Sequence, residues 1–515
     1  MHSLGVGAQV VVIGAGVGGL CAAIDLAVAG CSVTVLERGE QVGGKLAFVD
    51  IEGTSVDLGP TVLTMRWVFV SLFASASREI GDYVSLQKAD VLSRHAWPDG
   101  VKLDLFSDEE RSAAAIEAAF GASEAEAYRR FVAHCKTIYD AVDASFLRAQ
   151  RPDWQQAMRE IKAVGLRGLL RIDAHRTMAR TLEQTFRTPH LRQLFGRYAT
   201  YCGSSPLEAP STLNLIAHVE GRGVDRVRGG MRALAGALAR LAGDVGVEIR
   251  LGAHVDRILV RDGVARGVAL HSGPTQHADA VVFNGDVSAL GASLLGSDAA
   301  KAVRAVAPRT RSLSAITWAM VARAEGFPLL HHNVFFSADG PAEYRSLMDP
   351  VRHWRDDPTV YVCAQERGDV AQGSAEEPLL IVVNAPPTGA NPSMWNREVI
   401  LRWERAAFST LERSGLKLFA RATRTTTPLD FEKRFPATGG ALYGQRVSGP
   451  LSPLTRPGAR SGLAGLYLAG GSAHPGPGLP MAALSGRLAA NRVLEDLPST
   501  RRSPQAATSG TTSMP

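Results

Sequence analysis

Two glycine-rich stretches near opposite ends of the chain hold the residues best suited to chemistry. The first is Gly14-x-Gly16-x-x-Gly19, with Gly18 inside it, followed 18 residues after Gly19 by Glu37. The second, "GGSAHPGPGLP" from Gly470 and Gly471 to Pro480, runs into the helical pattern "MAALSGRLAANRVLEDL" that begins near Met481. A glycine loop feeding a helix N-terminus presents free N–H groups and positive potential, which suits an anion such as a phosphate. In the first loop Gly14 permits a tight turn, Gly16 lets the backbone approach a pyrophosphate, and Gly19 lets helix pack closely on strand. Glu37 is the acid expected to accept hydrogen bonds from a ribose.

The elements that must position these residues can be read around them. Gln9–Ile13 is a short valine-rich run, the pattern of a buried parallel strand. An alanine-rich helix follows to about Ala29, Gly30 ends it, and Ser32–Leu36 forms a second strand that delivers Glu37. Strand, glycines, helix, strand and acid in that order form a dinucleotide-binding unit. Further on, Gly229-Gly230 opens a helix carrying Met231, Leu234, Leu238 and Leu241 on one face. After it, "VEIRLGAHVDRILV", the Asp262-Gly263 turn, "ARGVALHS" and "ADAVVFN" read as a β-meander. "LAGLYLAGG" is a strand ending at Gly470-Gly471. A helix with the capping box Ser123-x-x-Glu126 is expected to bury Tyr128, Phe131, Cys135, Ile138 and Val142 as ordinary core.

Composition excludes several classes. The 515 residues, 45% hydrophobic and 21% charged, suit an ordinary globular protein of two or three domains. Five scattered cysteines without a C-x-x-C pair argue against disulfides, a redox dithiol and a structural zinc, and no metal is expected. The uncharged residues 3–24 lack a basic start, and their glycines are followed by Asp25, so neither an export signal nor a membrane span is expected. The charge of +6 is concentrated: residues 148–197 carry 11 Lys/Arg against 4 Asp/Glu, which leaves the rest near −1. Within that stretch "AVGLRGLLRIDAHRTMAR" interleaves Arg167, Arg171, Arg176 and Arg180 with apolar residues, as a basic amphipathic helix at an anionic membrane surface would. No aromatic platform accompanies the arginines, so nucleic acid is not an expected partner.

Glu37-Arg38 followed by Gly43-Gly44-Lys45, and then by Val56-Asp57-Leu58-Gly59-Pro60, resembles the flavoprotein family that includes amine oxidases, protoporphyrinogen oxidase and carotenoid desaturases. The resemblance implies FAD rather than NAD. It implies an α/β fold: a discontinuous Rossmann-type FAD-binding domain, shared with amine oxidases and GDP-dissociation inhibitors, an α+β substrate domain and a helical membrane-facing region. The FAD domain is expected in residues 1–65, 225–289 and 425–497, the substrate domain in 66–224 and 290–424, and a disordered tail in 498–515. It further implies that Gly43 and Gly44 run under the FAD diphosphate, that Val255 lies against the adenine, and that Pro480 and Met481 bring a helix N-terminus to the flavin. Both glycine loops then serve one elongated cofactor. Asp57 is expected to organise the turn at Gly59 and Pro60.

The ending "GGSAHPGPGLPMAALSGRLAA" is similar to that of bacterial carotenoid desaturases of the phytoene-desaturase type, with Ala473 and Pro477 departing from their pattern. "DLGPTVLTMRWVF" points to the branch that desaturates 1-hydroxylated or 1-methoxylated acyclic carotenoids at the 3,4 position. A lipophilic carotenoid substrate, a membrane surface, and a quinone or O2 as electron acceptor are the partners so implied. The expected location is cytoplasmic, peripheral to the inner membrane. His474 and Glu220 are the candidate catalytic residues, His474 as base or as holder of its loop, with Glu220 otherwise a surface acid before a turn. The alternatives are a flavin amine oxidase, for which Cys363 is the cysteine nearest the C-terminal loop, a protoporphyrinogen oxidase, or a prenyl-binding chaperone that has lost the flavin.

Overall fold

A computed structural model of the chain describes residues 7–151, 172–349, 355–369, 376–450 and 452–497. At its centre lies a five-stranded parallel sheet in the order Leu466–Leu468, Ala280–Phe283, Gln9–Ile13, Ser32–Leu36, Glu248–Arg250. Three distant stretches of chain thus build one sheet. Strand alternation explains its two covered faces: Val10 and Val12 pack among the helices Val17–Val28, Met231–Asp244 and Leu479–Asp496, while Val11 turns to the opposite layer with Val281, Val255 and Ile258. Each such fully buried aliphatic side chain contributes roughly 1.5–3 kcal/mol.

The expected meander is only partly formed. Val255–Arg261 and Val264–Leu270 make the antiparallel hairpin, with Asp262 and Gly263 both at positive φ in its turn, and Gln276–His277 adds a short third strand. Glu248–Arg250 and Ala280–Phe283 instead leave it for the parallel sheet. The four-residue run Ala280–Phe283 is buried throughout, which a strand covered on both faces requires and a half-exposed meander strand does not.

The second sheet has seven strands, in the order Lys417–Thr426, Ser314–Glu325, Glu377–Ala385, Val360–Ala364, His332–Phe335, Val91–Ala96, Lys102–Phe106. It draws on both stretches expected to form the substrate region, and Lys417–Thr426 runs past residue 424. Ile316, Trp318 and Met320 face the helix Arg397–Arg413 and its buried Trp403, while Ala315 and Thr317 face the other way, toward the cavity described below. A helical layer, Ala122–Val142 with Met178–Thr185, Pro189–Gly196 and Leu215–Gly221, closes around Phe131 and the stacked pair Phe186 and Phe195.

Three local expectations are corrected. Ser123 does not cap its helix: the N-cap is Gly121, without a side-chain bond, and the buried Glu124 instead accepts hydrogen bonds from the backbone N–H groups of Arg187 and Thr188 at 2.9 and 3.1 Å. Asp57 does not hold the Gly59-Pro60 turn; its carboxylate accepts from the N–H of Met231 and so caps the helix Met231–Asp244, with Arg232 3.3 Å away. The basic segment is not one helix where it is described. Residues 172–176 form turns around the buried Asp173, which accepts from Arg176, Thr181 and Ser211, and a helix starts only at Met178. Arg167 and Arg171, like residues 498–515, lie outside the described residues.

Candidate active site

The two glycine loops meet at one cavity of about 1700 Å³. That exceeds the roughly 300–1,000 Å³ of an ordinary single-ligand pocket. Of the cofactor positions read from the sequence, Gly14, Gly16, Gly18, Glu37, Arg38, Gly43, Gly44, Lys45, Gly59, Pro60, Val255, Gly470, Gly471, Pro480 and Met481 line it. Gly19 does not; it lies behind the wall, where a Cβ would stand 2.1 Å from the Gly14 carbonyl oxygen. Its role is close packing of the turn, as its place in the motif predicts.

Backbone builds this end of the site. The N–H of Gly14 reaches the Leu36 carbonyl and that of Gly43 the Ala15 carbonyl, both at 2.8 Å, so the second glycine pair is laid against the first. A Cβ on Gly44 would come within 3.0 Å of Gly16 Cα, and one on Gly59 within 1.8 Å of the Lys45 carbonyl oxygen. The helices Val17–Val28 and Leu479–Asp496 open at Gly16 and Gly478 without side-chain caps, and both openings face the cavity. Their first N–H groups are therefore available to an acidic or carbonyl oxygen.

Glu37 is locked at the far end. Its Oε2 accepts from the Ala15 N–H at 2.8 Å and its Oε1 from the Gly39 N–H at 2.9 Å. Its own carbonyl accepts from Ala253, which brings the start of the Val255 strand alongside. A carboxylate so held keeps lone pairs for a ribose while fixing the loop around it.

Several residues at this end carry no motif and were missed in the sequence. The Asn284 amide donates to the Gly14 carbonyl at 3.2 Å and fills the space between Gly16, Gly18 and Gly470, so tightly that a Cβ on any of the three would fall 2.7–2.8 Å from it. The only signal was an asparagine ending an apolar strand. The Arg434 guanidinium donates to the Gly44 carbonyl at 2.8 Å, and Arg456 donates to the carbonyls of Gly471 and Tyr443, each at 3.0 Å. Lys45 is bonded to the Leu442 carbonyl, and burial pushes its ammonium below the ordinary lysine value. Three cations beside two helix N-termini, of which Arg456 is buried, Lys45 half-buried and Arg434 exposed, suit the diphosphate of a dinucleotide.

The other end of the cavity is built by side chains. Arg197, Tyr201, Glu220, Thr61, Tyr361 and Thr317 form a polar patch, surrounded by apolar lining such as Val62, Met65, Leu213, Ile216 and Val219. Glu220 is not a surface acid: it is 4% exposed, and burial pushes its carboxyl above the ordinary value while the nearby Arg197 holds it down. The surface reading failed because the helix Leu215–Gly221 turns this face inward. His474 does not line the cavity. It is buried against the Phe146 ring at 4.7 Å, with Nε2 3.0 Å from the Ala149 carbonyl, so it ties the glycine-proline loop to the neighbouring segment. Burial lowers its imidazole to about 4. Cys363 is likewise buried away from the cavity wall.

Residues 17–320 match the model for the flavin containing amine oxidoreductase family. The chain belongs to that family. It is 46% identical to a hydroxyneurosporene desaturase of Rubrivivax gelatinosus over 98% of this chain and 96% of that one. It is 44% identical to a hydroxyneurosporene desaturase of Cereibacter sphaeroides over 96% and 99%. A solved structure of putrescine oxidase bound to putrescine shares the fold at a TM-score of 0.58 and 14% identity, covering 95% of this chain and 99% of that one. The oxidoreductase is FAD-dependent, and the glycine-lined end of the cavity fits that cofactor. Among its described residues no helix is long and apolar enough to cross a membrane.

Proposed function

We propose that the protein is an FAD-dependent carotenoid desaturase that introduces a C–C double bond, at the 3,4 position, into an acyclic 1-hydroxylated or 1-methoxylated carotenoid. The observation that carries this reading is the continuity of one large cavity from the dinucleotide loops into an apolar chamber. The hydroxyneurosporene desaturases described above share nearly the full length of the chain at 44–46% identity, and a hydroxylated carotenoid suits a chamber of this kind.

When bound, FAD supplies a two-electron acceptor for hydride from carbon. The protein's task is then positional. Gly59, Pro60 and the N-terminus of the helix Leu479–Asp496 would hold the cofactor's reactive end, where the helix dipole would favour negative charge. The apolar walls align the polyene and exclude water from the carbon that loses hydride. Loss of a proton from the adjacent carbon completes the double bond, while the polyene spreads the developing charge. His474 serves this site by holding its loop. A quinone or O2 takes the electrons in turn.

A membrane-bound substrate calls for contact with a bilayer, and the basic segment is the surface suited to it. Leu147 and Ile172 both line the cavity. The test is anaerobic mixing of purified protein and FAD with liposomes carrying a 1-hydroxylated acyclic carotenoid. Bleaching of the visible flavin band together with a red-shifted carotenoid supports the reading. A flavin bleached only by an amine or by protoporphyrinogen overturns it.

A further inference from the structure

The polar patch in the substrate chamber is built from residues outside both glycine loops. Arg197 lies over the ring faces of Tyr201 and Tyr361, 5.4 and 5.6 Å from their centroids. The Tyr201 hydroxyl donates to Glu220 Oε2 at 3.0 Å. Thr61 and Tyr361 share a hydrogen bond of 2.6 Å, and Tyr361 also meets His332 Nδ1 at 2.6 Å. All but His332 face the cavity.

Such a patch is costly where the rest of the chamber is apolar. Desolvating a guanidinium and a carboxylate costs several kcal/mol per ion, and well-packed apolar residues in their place would often be neutral or stabilising. A pure hydrocarbon gives nothing back. An alcohol does: its oxygen accepts from a guanidinium and its O–H donates to a carboxylate. Resting on the carotenoid reading above, we propose that Arg197, Glu220 and Tyr201 form the specificity site for the oxygen substituent at the reacting end of the substrate. Arg197 donates to that oxygen, Glu220 accepts from its O–H, and Tyr201 fixes the Glu220 carboxylate.

The location fits the chemistry. In a 1-hydroxylated carotenoid the carbon bearing the oxygen is two bonds from the 3,4 bond, so whatever reads the oxygen must adjoin the reacting carbons. The patch does adjoin the cofactor end, because Thr61 directly follows Gly59 and Pro60 and is bonded to Tyr361 beneath Arg197. The two partners also divide the labour. Arg197 can donate to a hydroxyl or an ether oxygen, whereas Glu220, which already accepts from Tyr201, can accept from the substrate only if its oxygen is a free hydroxyl. The site therefore prefers 1-hydroxy over 1-methoxy, and either over the unsubstituted polyene, because an analogue lacking the group desolvates the patch without supplying the bonds that the hydroxyl makes.

The experiment compares kcat/KM for the 1-hydroxylated, 1-methoxylated and unsubstituted carotenoids in phosphatidylcholine liposomes, with the flavin-to-protein ratio measured for every variant. In Arg197→Met the preference for the hydroxylated over the unsubstituted carotenoid is expected to fall at least tenfold. In Glu220→Gln, whose amide can donate to an ether, the methoxy-to-hydroxy ratio is expected to rise severalfold. Tyr201→Phe keeps the ring under Arg197 and removes the hydroxyl's bonds to Glu220 and Arg197, so it should show a smaller loss of the same preference; it serves if Arg197→Met does not fold. Parallel loss on all three substrates, with their ratios unchanged, overturns the proposal and leaves the desaturase reading standing. A wild-type enzyme that turns over none of the three overturns both.

Discussion

The two ends of the cavity are made of different material. At the cofactor end the wall is chiefly main chain: Gly14, Gly16, Gly43, Gly44, Gly59 and Gly470, braced by carbonyl–amide bonds and by Asn284, with Glu37, Lys45, Arg434 and Arg456 set around it. At the substrate end it is side chain: Arg197, Tyr201, Glu220 and Tyr361 among aliphatic residues. A main-chain wall binds what any dinucleotide offers and tolerates no added atom. A side-chain wall can be altered residue by residue and sets what is accepted. The contrast predicts that substitutions at the first end remove the cofactor altogether, whereas those at the second change preference.

The largest expected effect falls on two glycines that do not touch the cavity. A Cβ on Gly19 would stand 2.1 Å from the Gly14 carbonyl oxygen, and one on Gly486 would stand 2.0 Å from that of Gly18, where the helices Val17–Val28 and Leu479–Asp496 cross. Neither neighbour is a flexible side-chain tip, so the first helix must move, and the loop with it. Gly19→Val and Gly486→Val should both be recovered without bound flavin, measured as the absorbance ratio of flavin to protein. If Gly486→Val kept its flavin, the second helix would not be part of the cofactor wall's support.

That pair also marks where sequence reading succeeds and stops. Gly19 was legible because a close backbone approach admits one residue type, and the motif fixes its spacing. Gly486 was written in plain view within "AALSGRLAA" but sits in a helix whose partner is some 460 residues away, so nothing local identified it. The parallel sheet was legible for a related reason: strands covered on both faces read as short apolar runs, as in Gln9–Ile13. The ends of the meander were not, because "ADAVVFN" obeys the same pattern whichever neighbour it pairs with. Arg197 and Glu220 were illegible as a pair. Charges 23 residues apart carry no spacing rule, and only the turning of Leu215–Gly221 into the chamber brings them together.

The next effect belongs to a buried acid beside the substrate end. Glu343 accepts from the Thr359 backbone N–H at 2.7 Å and from its hydroxyl at 2.6 Å, and Thr359 lines the cavity. Burial raises its carboxyl to about 7 from an ordinary 4.5, despite both bonds. A raised folded-state value means that the native protein binds the proton more tightly than the unfolded chain does. The stability from that proton is full below 4.5 and is lost as pH rises through 7, by up to about 3 kcal/mol. Glu343→Gln keeps an acceptor for the N–H and removes the titration. Its Tm should exceed that of the wild type at pH 8 and match it near pH 5; an equal Tm difference at both values would exclude Glu343 as the source.

Asn284 tests whether a side chain within the main-chain wall behaves as wall or as selector. Its one described hydrogen bond to Gly14, at 3.2 Å, contributes about 1 kcal/mol, and Asn284→Ala also leaves a gap among three glycines. FAD should bind about tenfold more weakly, by fluorescence titration of the apoprotein, with the preference among carotenoids unchanged. A change in substrate preference would place Asn284 with the other end of the cavity.

The smallest effect has the opposite sign. Gly236 sits inside the helix Met231–Asp244, and a Cβ built there meets nothing within 4 Å. Its neighbour at the helix start, Gly230, has φ +81 and would bring a Cβ to 2.3 Å from the Asp57 carboxylate that caps the helix. At Gly230 glycine is required by geometry; at Gly236 it only costs helix propensity, about 1 kcal/mol relative to alanine. Gly236→Ala should therefore raise Tm by roughly 1 °C, given the unfolding entropy of a chain this long, and leave flavin content untouched. What separates this substitution from Gly19→Val is the atom that the new carbon would meet. Loss of flavin in Gly236→Ala would show that the wall depends on helix flexibility as well as on contact, and the division between the two ends of the cavity would have to be redrawn.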